Sequence, residues 1–134
     1  MRALILLGLA LGTSCAAQPV TVAPWMSGES LVQLYAGGDI SDIQGSYGRF
    51  TQEDRIDVRH RISKERAEAY VDGVHDATEG KLWCYSQVTR PKPGTLHEEV
   101  LWALRAMPAD QLKRNASDLI VETWRRKWPC GGKP

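Results

Sequence analysis

Apolar positions recur every three or four residues through the second half of the chain. Leu112, Ala116, Leu119, Ile120, Trp124 and Trp128 sit at i, i+4, i+7, i+8, i+12 and i+16, which predicts one amphipathic helix that stops at Pro129. Arg125, Arg126 and Lys127 fall in its last turn, where cations complement the helix dipole. Upstream, Leu96, Val100, Leu104 and Met107 line one face of another predicted helix. Thr95 with Glu98 three residues later reads as its capping box, and Pro108 breaks it and opens the next helix. A long helix is predicted from about Asp54 to Thr78, with Tyr70, Val74 and Ala77 as its apolar side and Gly80 as its stop. Asp57 with Arg61, Arg61 with Glu65 and Lys64 with Glu68 are opposite charges four apart on its solvated face. A shorter helix opens at Ser27 and carries Leu31, Leu34 and Tyr35 before Gly37-Gly38. Residues 39–53 carry no clear period and read as loop, as does YSQVTRPKPG over 85–94. No segment alternates like a strand for long enough to compete. The expected fold is all-α, a compact bundle of about four helices in a single domain over residues 18–134.

The chain opens MRALILLGLALGTSCAAQP, with one cation, an apolar run from Ala3 to Leu11 and then small residues. That is the layout of a signal peptide over residues 1–17, too short to span a bilayer. Cleavage after Ala16 or Ala17 predicts a periplasmic or secreted product; the alternative is a lipid anchor on Cys15, although Gly12 and not Leu stands three residues before it. Either route leaves two of the three cysteines, Cys84 and Cys130, in an oxidising compartment. Their pairing is the simplest expectation, worth about 4 kcal/mol in the chain-entropy account. A zinc site is the poorer use of two thiols without a C-x-x-C pair or a nearby pair of histidines.

Charge is nearly balanced, at a formal +1 for the full chain, and gives no support for nucleic-acid binding. Residues 18–80 are mainly acidic and 81–134 mainly basic, which either steers a charged partner or pairs the two halves internally.

Candidate chemistry is sparse. Asp72, His75 and Asp76 share a helical face at i, i+3 and i+4, and they carry the alternative reading of a periplasmic enzyme or metal-binding protein. His97-Glu98-Glu99 lacks the second histidine of H-E-x-x-H, because Leu101 occupies that place. Asn115-Ala116-Ser117 is a formal glycosylation acceptor, placed mid-helix by the apolar spacing. No G-x-S-x-G occurs and no cofactor motif is present. Trp102 lies off the apolar stripe of its helix and is a candidate exposed aromatic. Binding without catalysis is the better reading, with a structural or stress-related helical protein as a further alternative.

AYVDGVHDA, then Trp83-Cys84, then a loop with prolines and glycine, then TLHEEVLWALRAMPADQLKRNASDLIVETW and a closing Trp128-Pro129-Cys130 resemble the Rap/Tai family of periplasmic type VI secretion immunity proteins. The resemblance runs over roughly residues 66–130. It is carried by Tyr70, Gly73 and Asp76, by Trp83-Cys84, by Pro108 with Leu112, and by the closing Trp-Pro-Cys. It implies a small helical protein that neutralises a cell-wall-degrading amidase toxin, with the Cys84–Cys130 bridge kept. Two further cysteines frequent in that family are absent here, with Tyr35 or a neighbour and Ala67 in their places. Gly73 is expected to pack closely. The loop bearing Tyr85, Arg90 and Lys92, stiffened by Pro91 and Pro93, is the candidate partner-binding element; the alternative is a solvated connection between helices. A toxin partner without chemistry of its own on this side, and self-association left open, complete the expectation.

Overall fold

A computed structural model describes residues 23–38, 51–85 and 90–131. The expected signal peptide, its cleavage point, Cys15, the loop over 39–50 and the loop residues 86–89 lie outside the described residues. Five helices and no strand occur among the described residues: α1 (Gly28–Tyr35), α2 (Gln52–Thr78), α3 (Pro93–Arg105), α4 (Ala109–Leu112) and α5 (Ala116–Lys127).

Helix α1 begins where Ser27 accepts a hydrogen bond from the Ser30 amide, 3.1 Å away, and ends before Gly37, whose φ of +81° suits glycine alone. It is short yet central, for it packs on each of the other four helices. Its start lies beside that of α5: Gly28 N donates to Arg114 O at 3.1 Å and Ala116 N to Met26 O at 2.9 Å. A β-carbon at Gly28 would stand 2.6 Å from the tip of Leu119 and 3.2 Å from Leu112 O, so a side chain there would have to displace the buried Leu119.

Helix α2 starts two residues before the expected Asp54. Thr51 and Asp54 form the capping box, each side chain taking the other's backbone amide at 3.1 Å. The Thr51 hydroxyl, which donates to Asp54 Oδ2, and then the Thr51 amide hold the Asp54 carboxyl below its usual range. Of the three expected charge pairs only Lys64–Glu68 closes, at 3.8 Å. The buried side of α2 is Ser63, Ala67, Val71 and Val74; Tyr70 is half-buried and Ala77 exposed, so the expected apolar side is rotated from the real one. Ser63 donates to Gly38 O at 3.2 Å, which lets a polar residue sit fully buried where α1's exit meets α2.

Two further boundaries differ from expectation. Helix α3 begins at Pro93, with Pro at the first helical position and Lys92 as N-cap, so Thr95 is already inside the helix and caps nothing. The last helix is also two. Pro108 is the N-cap of the single turn α4, and Asn115 caps α5 by accepting from the Ser117 amide at 3.0 Å. Asn115 is thus a cap and not a mid-helix residue. The apolar spacing runs across this break because Leu112 still packs against the core from α4.

The core joins Leu31 and Leu34 of α1, Ala67, Val71 and Val74 of α2, Leu96, Val100 and Leu104 of α3, and Ala116, Leu119, Ile120 and Trp124 of α5, with Met26 and Trp83. Trp83 and Trp124 are its largest fully buried side chains.

Candidate functional site

Past Thr78 the chain turns at Gly80, whose amide donates to Trp83 O at 2.8 Å, and drives the Trp83 indole inward. Its Nε1 donates to Thr78 Oγ1 at 3.0 Å, and that hydroxyl donates to Val74 O at 2.6 Å. The ring lies 4.8 Å from Trp124, 6.0 Å from Trp128, 5.8 Å from Tyr85 and 5.5 Å from His75 between centroids. These separations suit tilted and edge-on aromatic packing. Cys84 N donates to Trp128 O at 2.9 Å, and Cys84 and Cys130 are bonded with their Cα atoms 4.7 Å apart. The expected bridge is therefore present, and it fastens the end of α5 to the segment that leaves α2. Pro129 is exposed beside it.

That knot forms one flank of a cleft of about 630 Å³, lined by Asp72, His75 and Asp76 on α2, by Tyr85 and Leu96, and by Arg90, Pro91, Lys92 and Pro93. Two groups that sequence reading kept apart meet here: the acidic trio of α2 and the Tyr85, Arg90 and Lys92 rim. The Arg90 guanidinium lies 5.6 Å above the Tyr85 ring, within cation–π range. Lys92 is exposed at the start of α3.

The trio does not act as one cluster. His75 Nδ1 lies 3.0 Å from Asp76 Oδ1, and its Nε2 lies 3.1 Å from Glu79 Oε2. Asp72 turns the other way, to His97 Nε2 at 2.7 Å; His97 Nδ1 stands 3.9 Å from Glu68. His97, only 15% exposed at its side chain, thereby clasps α3 to α2. Sequence reading missed this clasp. Its signal was Glu68 and Asp72 four apart on a helix, a pair of acids that a cation or histidine must offset.

Gly73 does not pack closely: nothing stands within 4 Å of where its β-carbon would be. It opens onto a second concavity of about 480 Å³ with Ala69, Tyr70, Val74, Ala77, Thr78 and Ser117. Of the other two residues in that motif, Tyr70 is half-buried and Asp76 is exposed in the charged cleft. Trp102 is exposed, as expected, at 65%. Tyr35 packs on the core with its hydroxyl buried and without a hydrogen-bond partner among the described residues. Burial, then the nearby Glu68 and Asp72 carboxylates, push its phenol well above the ordinary value.

A model of the Rap1a immunity proteins matches residues 27–130. The chain belongs to the Rap1a immunity protein family. The match takes in all five helices, both bonded cysteines and every residue of the charged cleft. It begins at the Ser27 cap and ends at Cys130, so it spans every helix and nearly all of the core, Met26 alone lying just before it. No curated protein matches the chain. No helix among the described residues is long and apolar enough to cross a membrane.

Proposed function

We propose that this protein is a periplasmic immunity protein that neutralises a type VI secretion toxin, a peptidoglycan amidase, by covering its active site. The carrying observation is the family match over residues 27–130. Such a role needs a rigid surface and no reacting group, and the cleft rim offers one. Tyr85 follows the bonded Cys84 directly, Arg90 stacks on Tyr85, and Pro91 and Pro93 restrict the approach to α3. A rim ordered before binding keeps more of the contact energy as affinity. Aromatic and arginine side chains are also the groups that most often anchor protein interfaces. Export explains the bridge, since disulfides persist in oxidising compartments.

The test is co-expression in the periplasm with a peptidoglycan amidase of the type VI toxin class, taken first from any secreted hydrolase gene that adjoins this one. The expected outcome is a one-to-one complex, restored growth, and peptidoglycan hydrolysis that falls in proportion to added protein. Growth arrest and full hydrolysis in the presence of excess protein would refute the reading.

A further inference from the structure

We infer that the cleft between α2 and the Arg90–Pro93 segment receives a doubly charged segment of the toxin, a cationic side chain against Asp76 and Asp72 and an acidic one against Arg90 and Lys92. This rests on the immunity reading and names the surface and partner chemistry it requires.

Opposite charges face one another across this cleft without meeting. Among the described residues no ion pair joins the α2 wall to the basic wall; Asp76 and Asp72 pair with histidines, and Arg90 has only the Tyr85 ring. Asp76 remains 84% exposed at its side chain and Asp72 62%, so each keeps a carboxylate oxygen available to a second donor. The His75 ring is held at both nitrogens, by Asp76 and by Glu79, and is edge-packed on Trp83, which fixes the acidic wall in place. The basic wall is set by Pro91 and by Pro93 at the first turn of α3. Walls of opposite sign, one on α2 and one on the proline-bearing approach to α3, with an apolar floor at Leu96, set a field across a concave space. A like-charged segment would meet repulsion from one wall, so the pattern also selects against wrong partners.

Two measurements decide it. The first titrates isotope-labelled protein with the capped peptide acetyl-Arg-Gly-Gly-Glu-amide, using acetyl-Ser-Gly-Gly-Ser-amide as control. Amide shifts are expected at Asp76, Tyr85 and Leu96 with the charged peptide alone, and they should vanish in Asp76→Lys and in Lys92→Glu. Absence of such shifts in the parent protein overturns the proposal. The second measures affinity for the hydrolase used in the co-expression test: Asp76→Lys and Arg90→Glu should each weaken it at least tenfold, while Arg105→Glu, a charge reversal at the far end of α3, leaves it unchanged. If hydrolase binds the parent and both cleft variants equally, the cleft proposal falls and the immunity reading stands. If the peptide binds in the cleft and the hydrolase is never captured, the immunity reading falls and the cleft is confirmed as a site for doubly charged peptide segments.

Discussion

The two halves of α2 share one continuous backbone and differ in what holds them. From Gln52 to Ile62 every side chain is exposed except Val58 and Ile62, which are half-buried. That half has its own capping box, and His60 lays its ring against Gly37 at the exit of α1. From Ser63 to Thr78 the helix buries Ser63, Ala67, Val71 and Val74 and rests on α1 and α5. It is the packed half that carries the acidic wall of the cleft. The acidic wall is thus backed by the core beneath it, and the first half of α2 adds little buried surface.

The largest effect expected from breaking this contrast is at Trp83. Removing its fully buried indole takes away the contacts to Trp124, Trp128, Tyr85 and His75 together. Trp83→Ala should cost about 3–5 kcal/mol, much of a small domain's total stability. Ile56→Ala, in the exposed half, should stay within about 0.5 kcal/mol. Urea unfolding of the two variants reads the difference. Equal losses would mean that the first half of α2 is packed in solution.

Next comes the bridge. Cys84→Ser with Cys130→Ser closes no 46-residue loop in the unfolded chain and should lose about 2–4 kcal/mol. The same loss should follow reduction of the parent protein. A variant as stable as the parent would show that the aromatic knot holds the end of α5 unaided.

How much of this could be seen in the chain follows the same contrast. Helices α1 and α3 were legible in their faces because Leu31 and Leu34, and Leu96, Val100 and Leu104, are large and regularly spaced. The face of α2 was misread because its buried stripe is made of Ser63, Ala67 and two valines, while the bulkier Tyr70 lies only half covered. Close helix packing selects small residues, which a reading by apolar size passes over. The α4–α5 break was hidden by apolar spacing that continues through it, although Asn115 before Ala-Ser is a capping signal in its own right. The cleft was legible only as two separate lists. Asp76 and Arg90 come together through the turn at Gly80 and the knot around Trp83, a tertiary event that no local pattern states.

A smaller effect, of opposite sign, is expected at Tyr35. Its hydroxyl is buried without a partner among the described residues, so Tyr35→Phe removes an unsatisfied group and should be neutral or stabilising by up to about 1 kcal/mol. The phenol is raised in the folded protein above its ordinary 10.0, so the unfolded chain releases its proton first. Its contribution is therefore whole below about pH 10 and declines as pH rises further. The parent should lose more stability than Tyr35→Phe between pH 9 and about pH 11, values bracketing the ordinary phenol range. Identical pH profiles for the two proteins would place the hydroxyl in contact with solvent.

The smallest expected change tests the exposed side of the packed half itself. Gly73 sits inside α2, has an ordinary helical backbone and faces open space. A β-carbon there meets nothing, so Gly73→Ala should remove only the conformational freedom of glycine in the unfolded chain. The gain should be about 0.5–1 kcal/mol, seen as a higher midpoint in urea with an unchanged slope. Were the helix packed there, as the sequence alone led us to expect, the same change would cost stability through overpacking. The sign of the effect therefore separates the two arrangements. A loss of stability that grows with protein concentration would carry a third meaning: that Ala69, Gly73 and Ala77 are covered by another copy of the chain, and that the added methyl pries the copies apart.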